Sequence, residues 1–234
     1  MGTLAIIPAA GAGVRMGSDR AKQFLEINGR PIIALTLEKF EECPAIEGII
    51  LVVPEDEVDF CKKDIIEKYG FRKVIRVIKG GLRRQDSVRL GIEASGGDYE
   101  RILIHDGVRP FIEKDLIDRA LAAAKDHRAV IAAMPVKETV KEVDPEENVT
   151  NTLDRQRLRL VQTPQVFRYE DISKAHKLAV EEGWEEATDD ALLVERIGIT
   201  VKVIEGAERN IKITTPGDLK FAGILGYPEK GVMT

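Results

Sequence analysis

Cysteine, histidine and tryptophan are scarce in this chain of 234 residues, which contains two, three and one of them. Cys43 and Cys61 have no CxxC spacing and no neighbouring histidine, so the sequence predicts neither a disulfide framework nor a zinc site. The three histidines, His105, His127 and His176, form no evident triad or metal cluster. The chain therefore gives no support to zinc chemistry or to a histidine-activated nucleophile.

Long apolar runs and a surplus of positive charge are also missing. No run approaches the ~18 residues of a membrane span. The apolar start Leu4–Pro8 lacks a basic region, and Ile6 stands where a myristoylation signal needs Ser or Thr. The formal net charge of −5 argues against a nucleic-acid partner, which usually requires a basic face. We therefore expect a cytoplasmic protein with neither a membrane nor a nucleic-acid partner.

The first half of the chain alternates short β-branched runs with helical patterns. Near-continuous apolar strands separated by helices indicate a mostly parallel, Rossmann-like α/β sheet flanked by helices. The length fits one domain spanning 1–234. The predicted strands are Leu4–Pro8, Gly48–Val53, Lys73–Ile78, Arg101–His105 and Ala129–Met134, and the predicted helices are Pro31–Glu42, Glu55–Tyr69, Ser87–Ser95 and Glu113–His127.

This alternation stops at residue 135. Pro135–Asp144 is an extended polar segment, Pro145–Asn148 a turn, and Val149–Val161 an extended return, which together predict a projecting β-hairpin. A polar hairpin of this length is only marginally stable alone, so we favour one that lies against a second subunit. The alternative is a surface loop.

Regular elements are predicted again beyond the hairpin. Thr215, Pro216 and Asp218 give the last helix an N-cap, a proline at its first position and an acid at its third. The elements expected before it are the helices Glu170–Glu182 and Asp189–Ile197 and the strands Thr200–Ile204 and Asn210–Thr214.

A glycine-rich loop, AAGAGVRMG at positions 9–17, follows the first strand. Open α/β sheets bind ligands at the carboxyl ends of their strands, where backbone N–H groups can face phosphate. Met16 replaces the third glycine of the dinucleotide fingerprint, and no glycine here precedes a Lys-Ser or Lys-Thr pair, so neither that fingerprint nor a Walker A motif is present. Arg15 and Lys22 either grip a triphosphate or are solvated surface charges.

Longer strings connect the chain to a known family. PAAGAGVRM followed by AKQFLEINGRPII resembles the opening signature of sugar-nucleotide and cytidylyl transferases. The further strings are GGLRRQDSV, HDGVRPF, LDRQRL, QTPQVF, TDDA and NIKITTPGDL. Together they resemble the 2-C-methyl-D-erythritol 4-phosphate cytidylyltransferases of the non-mevalonate isoprenoid pathway. The alternatives are a ribitol-5-phosphate cytidylyltransferase and a nucleotide-binding regulatory protein of the same fold.

The resemblance implies that an acceptor phosphate attacks the α-phosphorus of CTP and that diphosphate leaves. An acceptor phosphate carries roughly −1.5 to −2 charge near neutral pH, so the attacking oxygen needs no general base. Catalysis must then come from holding two anions in line and neutralising their charge. By resemblance Arg15 and Lys22 stabilise the transition state. A Mg²⁺ or other divalent ion would be held mainly by the CTP phosphates, with Asp106 as its candidate ligand.

The resemblance also assigns binding residues. The nucleotide set is Ala9, Ala10, Gly11, Gly13, Gly81, Ser87, Asp106 and Arg109. The set for the acceptor, a polyol phosphate, is Thr139, Arg155, Thr163, Thr188 and Lys212. The hairpin 135–161 would be the dimerisation arm of a homodimer. Without the family, Ser87 is a helix N-cap, Asp106 caps a loop, and Arg155 and Lys212 are solvated charges.

Two positions depart from the family's pattern. Gly107 and Val108 stand where an alanine pair is common, and Leu82 occupies a position that is often polar. Neither departure touches the cations expected to handle phosphate.

Overall fold

The computed structural model describes residues 2–11, 21–184 and 187–226. Its main sheet has seven strands in the order β11-β7-β10-β6-β1-β4-β5, and two small antiparallel pairs, β2–β3 and β8–β9, lie outside it. The strands are β1 Thr3–Pro8, β2 Glu26–Ile27, β3 Arg30–Pro31, β4 Ile46–Val53, β5 Val74–Lys79, β6 Arg101–Ile104, β7 Ala129–Pro135, β8 Val140–Val143, β9 Val149–Leu153, β10 Arg159–Arg168 and β11 Val201–Glu205.

Six strands of the main sheet run parallel, and β10 runs antiparallel to both of its neighbours, β6 and β7. The predicted α/β class, with a mostly parallel sheet, is confirmed. The helices are α1 Ile32–Glu41, α2 Val58–Phe60, α3 Arg84–Ala94, α4 Lys114–Asp126, α5 Tyr169–Glu181, α6 Asp190–Arg196 and α7 Pro216–Leu225. No helix of the described chain is both long and apolar enough to cross a bilayer.

The core lies on both faces of the sheet because successive apolar residues of β1, β4 and β6 are buried on opposite faces. In β1, Ala5 and Ile7 pack with α1 and α4 on one face, whereas Leu4 and Ile6 pack with α3, α5 and α6 on the other. This alternation follows from the period of two along a strand. Burial on both faces fixes the sheet rigidly and leaves its carboxyl edge to present polar loops.

Three predicted elements differ in the structure. Ser87–Ser95 was too short, since α3 starts at Arg84 and an Arg83–Asp86 capping box closes its first turn. Ser87 is therefore inside the helix, not at its N-cap. Glu55–Tyr69 is a 3₁₀ turn, the short α2 and a π-helical segment in succession. Asn210–Thr214 is not a strand; it is anchored by a hydrogen bond from the Ile213 amide to the Val108 carbonyl (3.0 Å).

The hairpin is confirmed in part. β8 and β9 pair antiparallel, but the return is not one extended segment to Val161. Asp154 accepts a hydrogen bond from the Gln156 amide (3.0 Å) and caps a 3₁₀ turn, which ends the arm. From Arg159 onward the chain already pairs with β7. The last helix begins as predicted, because Thr215 and Asp218 cap each other's backbone amides.

Candidate active site

Two adjoining cavities open at the carboxyl ends of β1 and β6. The first, of about 190 Å³, lies between the loop after β1 and the start of α3, and we call it the loop chamber. The second, of about 320 Å³, lies between β10 and the start of α6, and we call it the β10 chamber. Arg84, Asp106 and Lys212 line both. A larger groove of about 740 Å³ shares no residue with either chamber, so size alone does not locate the site.

The loop chamber contains most of the residues expected to hold a nucleotide. Ala9, Ala10 and Gly11 line it, together with Lys22. The Ala9 amide donates to the Val52 carbonyl (2.7 Å), so it cannot also bind a ligand. Backbone donors for phosphate must therefore come from further along the loop. Gly13 and Arg15 lie outside the described residues.

Gly81 and Ser87 form the far wall of the loop chamber. The Gly81 amide donates to the Ser87 hydroxyl (3.1 Å), which donates in turn to the Arg83 carbonyl (3.2 Å). A side chain at position 81 would place its Cβ 2.4 Å from the Cβ of Asp86, so the loop folds onto α3 this closely only with glycine. Leu82, beside it, is fully exposed at the chamber.

Asp106 is the charged centre of the site. It is buried, yet three cations contact its carboxylate: Arg84 Nε at 3.1 Å, Lys212 Nζ at 3.0 Å and Arg109 Nε at 3.3 Å. Burial alone would raise the pKa of Asp106, but these three charges outweigh it and hold the pKa well below its usual range. The carboxylate is therefore ionised near neutral pH, and it fixes three cations between the chambers.

A neutral histidine, His105, supports the backbone of Asp106 through the Thr163 hydroxyl. The Asp106 amide donates to Thr163 Oγ1 (3.1 Å), and that hydroxyl lies 3.0 Å from His105 Nδ1. His105 Nε2 lies 3.1 Å from the Arg109 carbonyl, which can only accept, so Nε2 carries the proton and Nδ1 accepts from Thr163. Burial lowers the pKa of His105 to about 4. Its role is to position the loop, not to act as a base.

Arg109 and Gly107 complete that loop. Arg109 is buried and also donates through Nη1 to the Asn210 carbonyl (2.8 Å), which joins the loop to the segment containing Lys212. A Cβ on Gly107 would lie 2.9 Å from both Ala9 Cβ and Ile33 Cδ1. The packing around Ala9 and Ile33 thus leaves no room for a side chain at position 107.

The β10 chamber contains three of the five residues expected to bind the acceptor: Thr163, Thr188 and Lys212. The other two, Thr139 and Arg155, are exposed on the hairpin, and among the described residues they line neither chamber of their own subunit. Arg155 Nη1 donates to the Lys137 carbonyl (2.5 Å) at the base of the arm. Within one subunit, the structure does not bring these two residues to the chambers.

Sequence reasoning missed Arg84 and Asp190. Arg84 Nη1 lies 2.7 Å from Asp190 Oδ2, while its Nε contacts Asp106. Both residues fall inside strings that were noted for their resemblance, GGLRRQDSV and TDDA. Each string contains a pair of adjacent like charges, and only the structure shows which member of one pair binds a member of the other.

Asp106 alone does not make a metal site. Both of its oxygens already face cations, and no cluster of three or more His, Cys, Asp or Glu side chains occurs among the described residues. An ion on this carboxylate would have to displace Lys212 or an arginine. The donor set fits an ion carried by ligand phosphates instead.

Comparison with known proteins identifies the family. The family model described as IspD: 2-C-methyl-D-erythritol 4-phosphate cytidylyltransferase matches residues 3–225. Two relatives of that name, from Geobacter metallireducens and Alkaliphilus oremlandii, are 47% and 48% identical, over 95% and 94% of this chain and 96% and 93% of theirs. The crystal structure of 4-diphosphocytidyl-2C-methyl-D-erythritol synthase from Anaerococcus prevotii superposes with a TM-score of 0.85 at 35% identity, covering 96% of this chain and 95% of that one.

Proposed function

The chain belongs to the 2-C-methyl-D-erythritol 4-phosphate cytidylyltransferase family, and we propose that its two chambers carry out that family's reaction. CTP and 2-C-methyl-D-erythritol 4-phosphate react to give 4-diphosphocytidyl-2-C-methyl-D-erythritol and diphosphate. The observation that carries the proposal is the shared wall of Arg84, Asp106 and Lys212 between two anion-sized chambers. Donor and acceptor can therefore meet across a wall in which Arg84 and Lys212 are held by the carboxylate of Asp106.

CTP occupies the loop chamber in this proposal. Gly81 and Ser87 face the pyrimidine, Asp106 lies on the ribose side, and the loop after β1 follows the triphosphate. Arg109 lines the β10 chamber and acts here only by holding Asp106. Lys22 and Arg15 neutralise charge around the α-phosphorus as it becomes five-coordinate. A divalent cation, with Mg²⁺ as the expected one, comes bound to the triphosphate and reduces its charge.

The acceptor occupies the β10 chamber, with Thr163 and Thr188 at its hydroxyl groups and Lys212 at its phosphate. An attacking phosphate oxygen approaches the α-phosphorus opposite the diphosphate, its bond to phosphorus forms as the bond to diphosphate breaks, and no proton has to move. Burial of two anions side by side would be costly without compensation. The three cations held by Asp106 exceed the two carboxylates, Asp106 and Asp190, by one positive charge. This surplus, together with Lys22 and the divalent cation on the triphosphate, offers that compensation.

A homodimer completes the site in this proposal, with the hairpin of one subunit supplying Thr139 and Arg155 to the chambers of the other. Exposed apolar side chains on the arm and at its base support this homodimer. Val143 and Val149 pair directly across the arm and are 52% and 60% exposed, and Leu160, at the base, is 58% exposed. Neighbouring exposed apolar side chains mark surfaces that a partner covers. Cytoplasmic location is proposed with it.

The direct test is diphosphate release by purified protein, with each of the four nucleoside triphosphates and with 2-C-methyl-D-erythritol 4-phosphate or ribitol 5-phosphate as acceptor. We expect release only with CTP and the methylerythritol phosphate. Faster diphosphate release with ribitol 5-phosphate would show that ribitol 5-phosphate, not the methylerythritol phosphate, is the acceptor. Tight CTP binding without release from either acceptor would point to a regulatory protein of this fold.

A further inference from the structure

A row of charged and polar side chains extends from the partly exposed Lys212 at the chambers to the fully buried His176 on α5. It runs from Lys212 through Asp106, Arg84 and Asp190 to His176. His176 Nε2 lies 3.2 Å from Asp190 Oδ1, and both side chains are almost fully buried. His176 is far along α5 and lines neither chamber among the described residues. The row therefore reaches beyond the side chains that line the two chambers.

Asp190 is fixed from three directions. His176 holds one carboxylate oxygen, Arg84 holds the other, and the Asp190 amide donates to Gln165 Oε1 (3.2 Å). Burial alone would raise the pKa of Asp190, but the charge of Arg84 makes the net shift downward. The carboxylate is thus an ionised, immobile anchor for one side of the Arg84 guanidinium.

Arg84 joins parts of the protein that the backbone does not join. Its guanidinium connects Asp106, which follows β6, with Asp190, which opens α6. The residues just before Asp190, Thr188 and Asp189, line the β10 chamber, whereas Arg84 itself ends the loop that walls the loop chamber. A planar guanidinium that binds two carboxylates fixes both distance and angle between them.

Stability alone does not explain this arrangement. A buried ion pair loses much of its attraction to desolvation, and well-packed apolar residues often stabilise a protein equally well. What these ion pairs provide is a fixed position for each charged group. The position of Asp106 matters because its displacement would also move Lys212 and Arg109.

We infer that Arg84 is a positioning residue for Asp106, and that Asp190 with His176 behind it holds Arg84 in place, so that the nucleotide and acceptor chambers keep a fixed geometry. This inference rests on the proposed function for its rate measurements. It does not require the acceptor to be correctly identified, because CTP binding reports on the same geometry.

Asp190→Asn is the central variant, since it removes the charge and keeps the shape. The matched control is Asp171→Asn, because Asp171 is also buried and paired with an arginine, Arg128, but lies outside both chambers. We expect both variants to lose similar thermal stability. Only Asp190→Asn should lower kcat, by roughly 10–100-fold, as expected when a supporting group moves a reacting one by a fraction of an ångström.

A double-mutant comparison tests whether Asp190 acts through Arg84. Arg84→Gln with Asp190→Asn should be no slower than Arg84→Gln alone, because the second change removes support for a group already lost. His176→Leu should resemble Asp190→Asn, and His176→Gln should recover most of the activity, since a glutamine amide can still donate to Asp190. The CTP dissociation constant, measured by calorimetry, should rise about tenfold in Asp190→Asn, as expected for the loss of a charge-assisted contact.

The inference would be overturned if the kcat of the double variant were reduced by the product of the two single reductions, because the Arg84 and Asp190 substitutions would then act independently. It would also be overturned by an Asp190→Asn protein with the stability loss of the control but with unchanged kcat and CTP affinity. If the wild type binds CTP but transfers to no acceptor, the proposed function fails, and the inference is then decided by the CTP affinities alone. Unchanged affinity in Asp190→Asn would reject it in that case as well.

Discussion

Lys212 Nζ lies 3.0 Å from Asp106 Oδ2, although 103 residues earlier in the chain Arg109 already neutralises the same oxygen. The lysine side chain is 38% exposed and that of Asp106 only 7%, so the carboxylate is buried while the ammonium group stays accessible to solvent. The carboxylate therefore holds the ammonium group at the mouth of the β10 chamber, where a phosphate can reach it from the solvent side.

Lys212→Ala should consequently act through the acceptor. We expect the acceptor KM to rise roughly 10–100-fold, the effect of losing one charge-assisted hydrogen bond, with less than about a twofold change in the CTP dissociation constant. Steady-state kinetics and calorimetry give the two values. Lys202→Ala, an exposed lysine on β11, is the control. Equal loss of affinity for CTP would show that Lys212 serves the nucleotide.

Lys22→Ala should leave the fold intact and lower kcat by ~10²–10³ at saturating CTP, as expected for the loss of one group that stabilises transition-state charge. The reason is its place at the loop chamber, next to the loop that follows β1. Single-turnover rates and circular dichroism measure the two properties. A near-normal kcat would remove Lys22 from the transition state.

Asp106→Asn separates the two roles considered for this carboxylate. If Asp106 anchors cations, the variant should lose activity, by about tenfold or more, while the Mg²⁺ concentration giving half-maximal rate stays within about threefold of wild type. Titration of Mg²⁺ at fixed CTP makes the measurement. A rise of more than about tenfold in that concentration would instead identify Asp106 as a metal ligand.

Crossed arms predict complementation between inactive proteins. Mixing Lys22→Ala with Arg155→Ala should give half mixed dimers, each with one intact site, so about a quarter of wild-type sites should return. The control mixture, Lys22→Ala with Lys212→Ala, should show no gain over the two proteins refolded alone. Both residues line chambers of their own subunit, so each site of the mixed dimer keeps one lesion. Activity after co-refolding is compared with each protein refolded alone. Mixed dimers that stay inactive in the first mixture would place Arg155 in its own subunit.

His105 predicts a pH dependence of stability. Its pKa falls from 6.5 to about 4 on folding because burial disfavours the cation, so between these values the unfolded chain binds the additional proton. The free energy of unfolding should therefore decrease as the pH falls from 6.5 to 4, by roughly 3 kcal/mol at most at ~1.4 kcal/mol per pH unit. Urea unfolding at several pH values in EDTA gives the curve. His105→Gln should flatten it, and an equally steep curve for that variant would exclude His105 as its cause.

The predictable part of the fold is the part with a strong local pattern. β1, β4 and β6 each contain a continuous apolar run, so these strands could be predicted. The Thr215–Asp218 capping box involves only neighbouring residues, so the start of the last helix could be predicted as well. β10 was missed beyond Val161 because Gln162, Thr163 and Gln165 are polar, and Pro164 argues against a central strand. In the structure a register shift between Gln162 and Gln165 accommodates the proline, and Gln162, Thr163 and Gln165 line the β10 chamber.

The site divides in the same way. Resemblance named residues such as Lys212 and Thr163 that the structure brings to one chamber, although periodicity assigned Lys212 to a strand that does not exist. Arg84 could not be singled out, because Arg83 precedes it and nothing local in the sequence distinguishes the two arginines. What distinguishes them is long range: Arg83 pairs with Asp86 within the same turn, whereas Arg84 reaches carboxylates at positions 106 and 190.

The place of β10 in the sheet has a consequence for how the chain folds. β5, β4, β1 and β6 form one continuous set, β7 and β11 form another, and β10 is the strand that hydrogen-bonds to both. During synthesis the first set can assemble as soon as β6 emerges, but β7 has no edge to join until the arm has turned and residues 159–168 have returned. Completion of the sheet thus waits on a distant segment, the kind of non-local closure that slows folding. Lengthening or stiffening the arm is accordingly expected to change the folding rate more than the final stability.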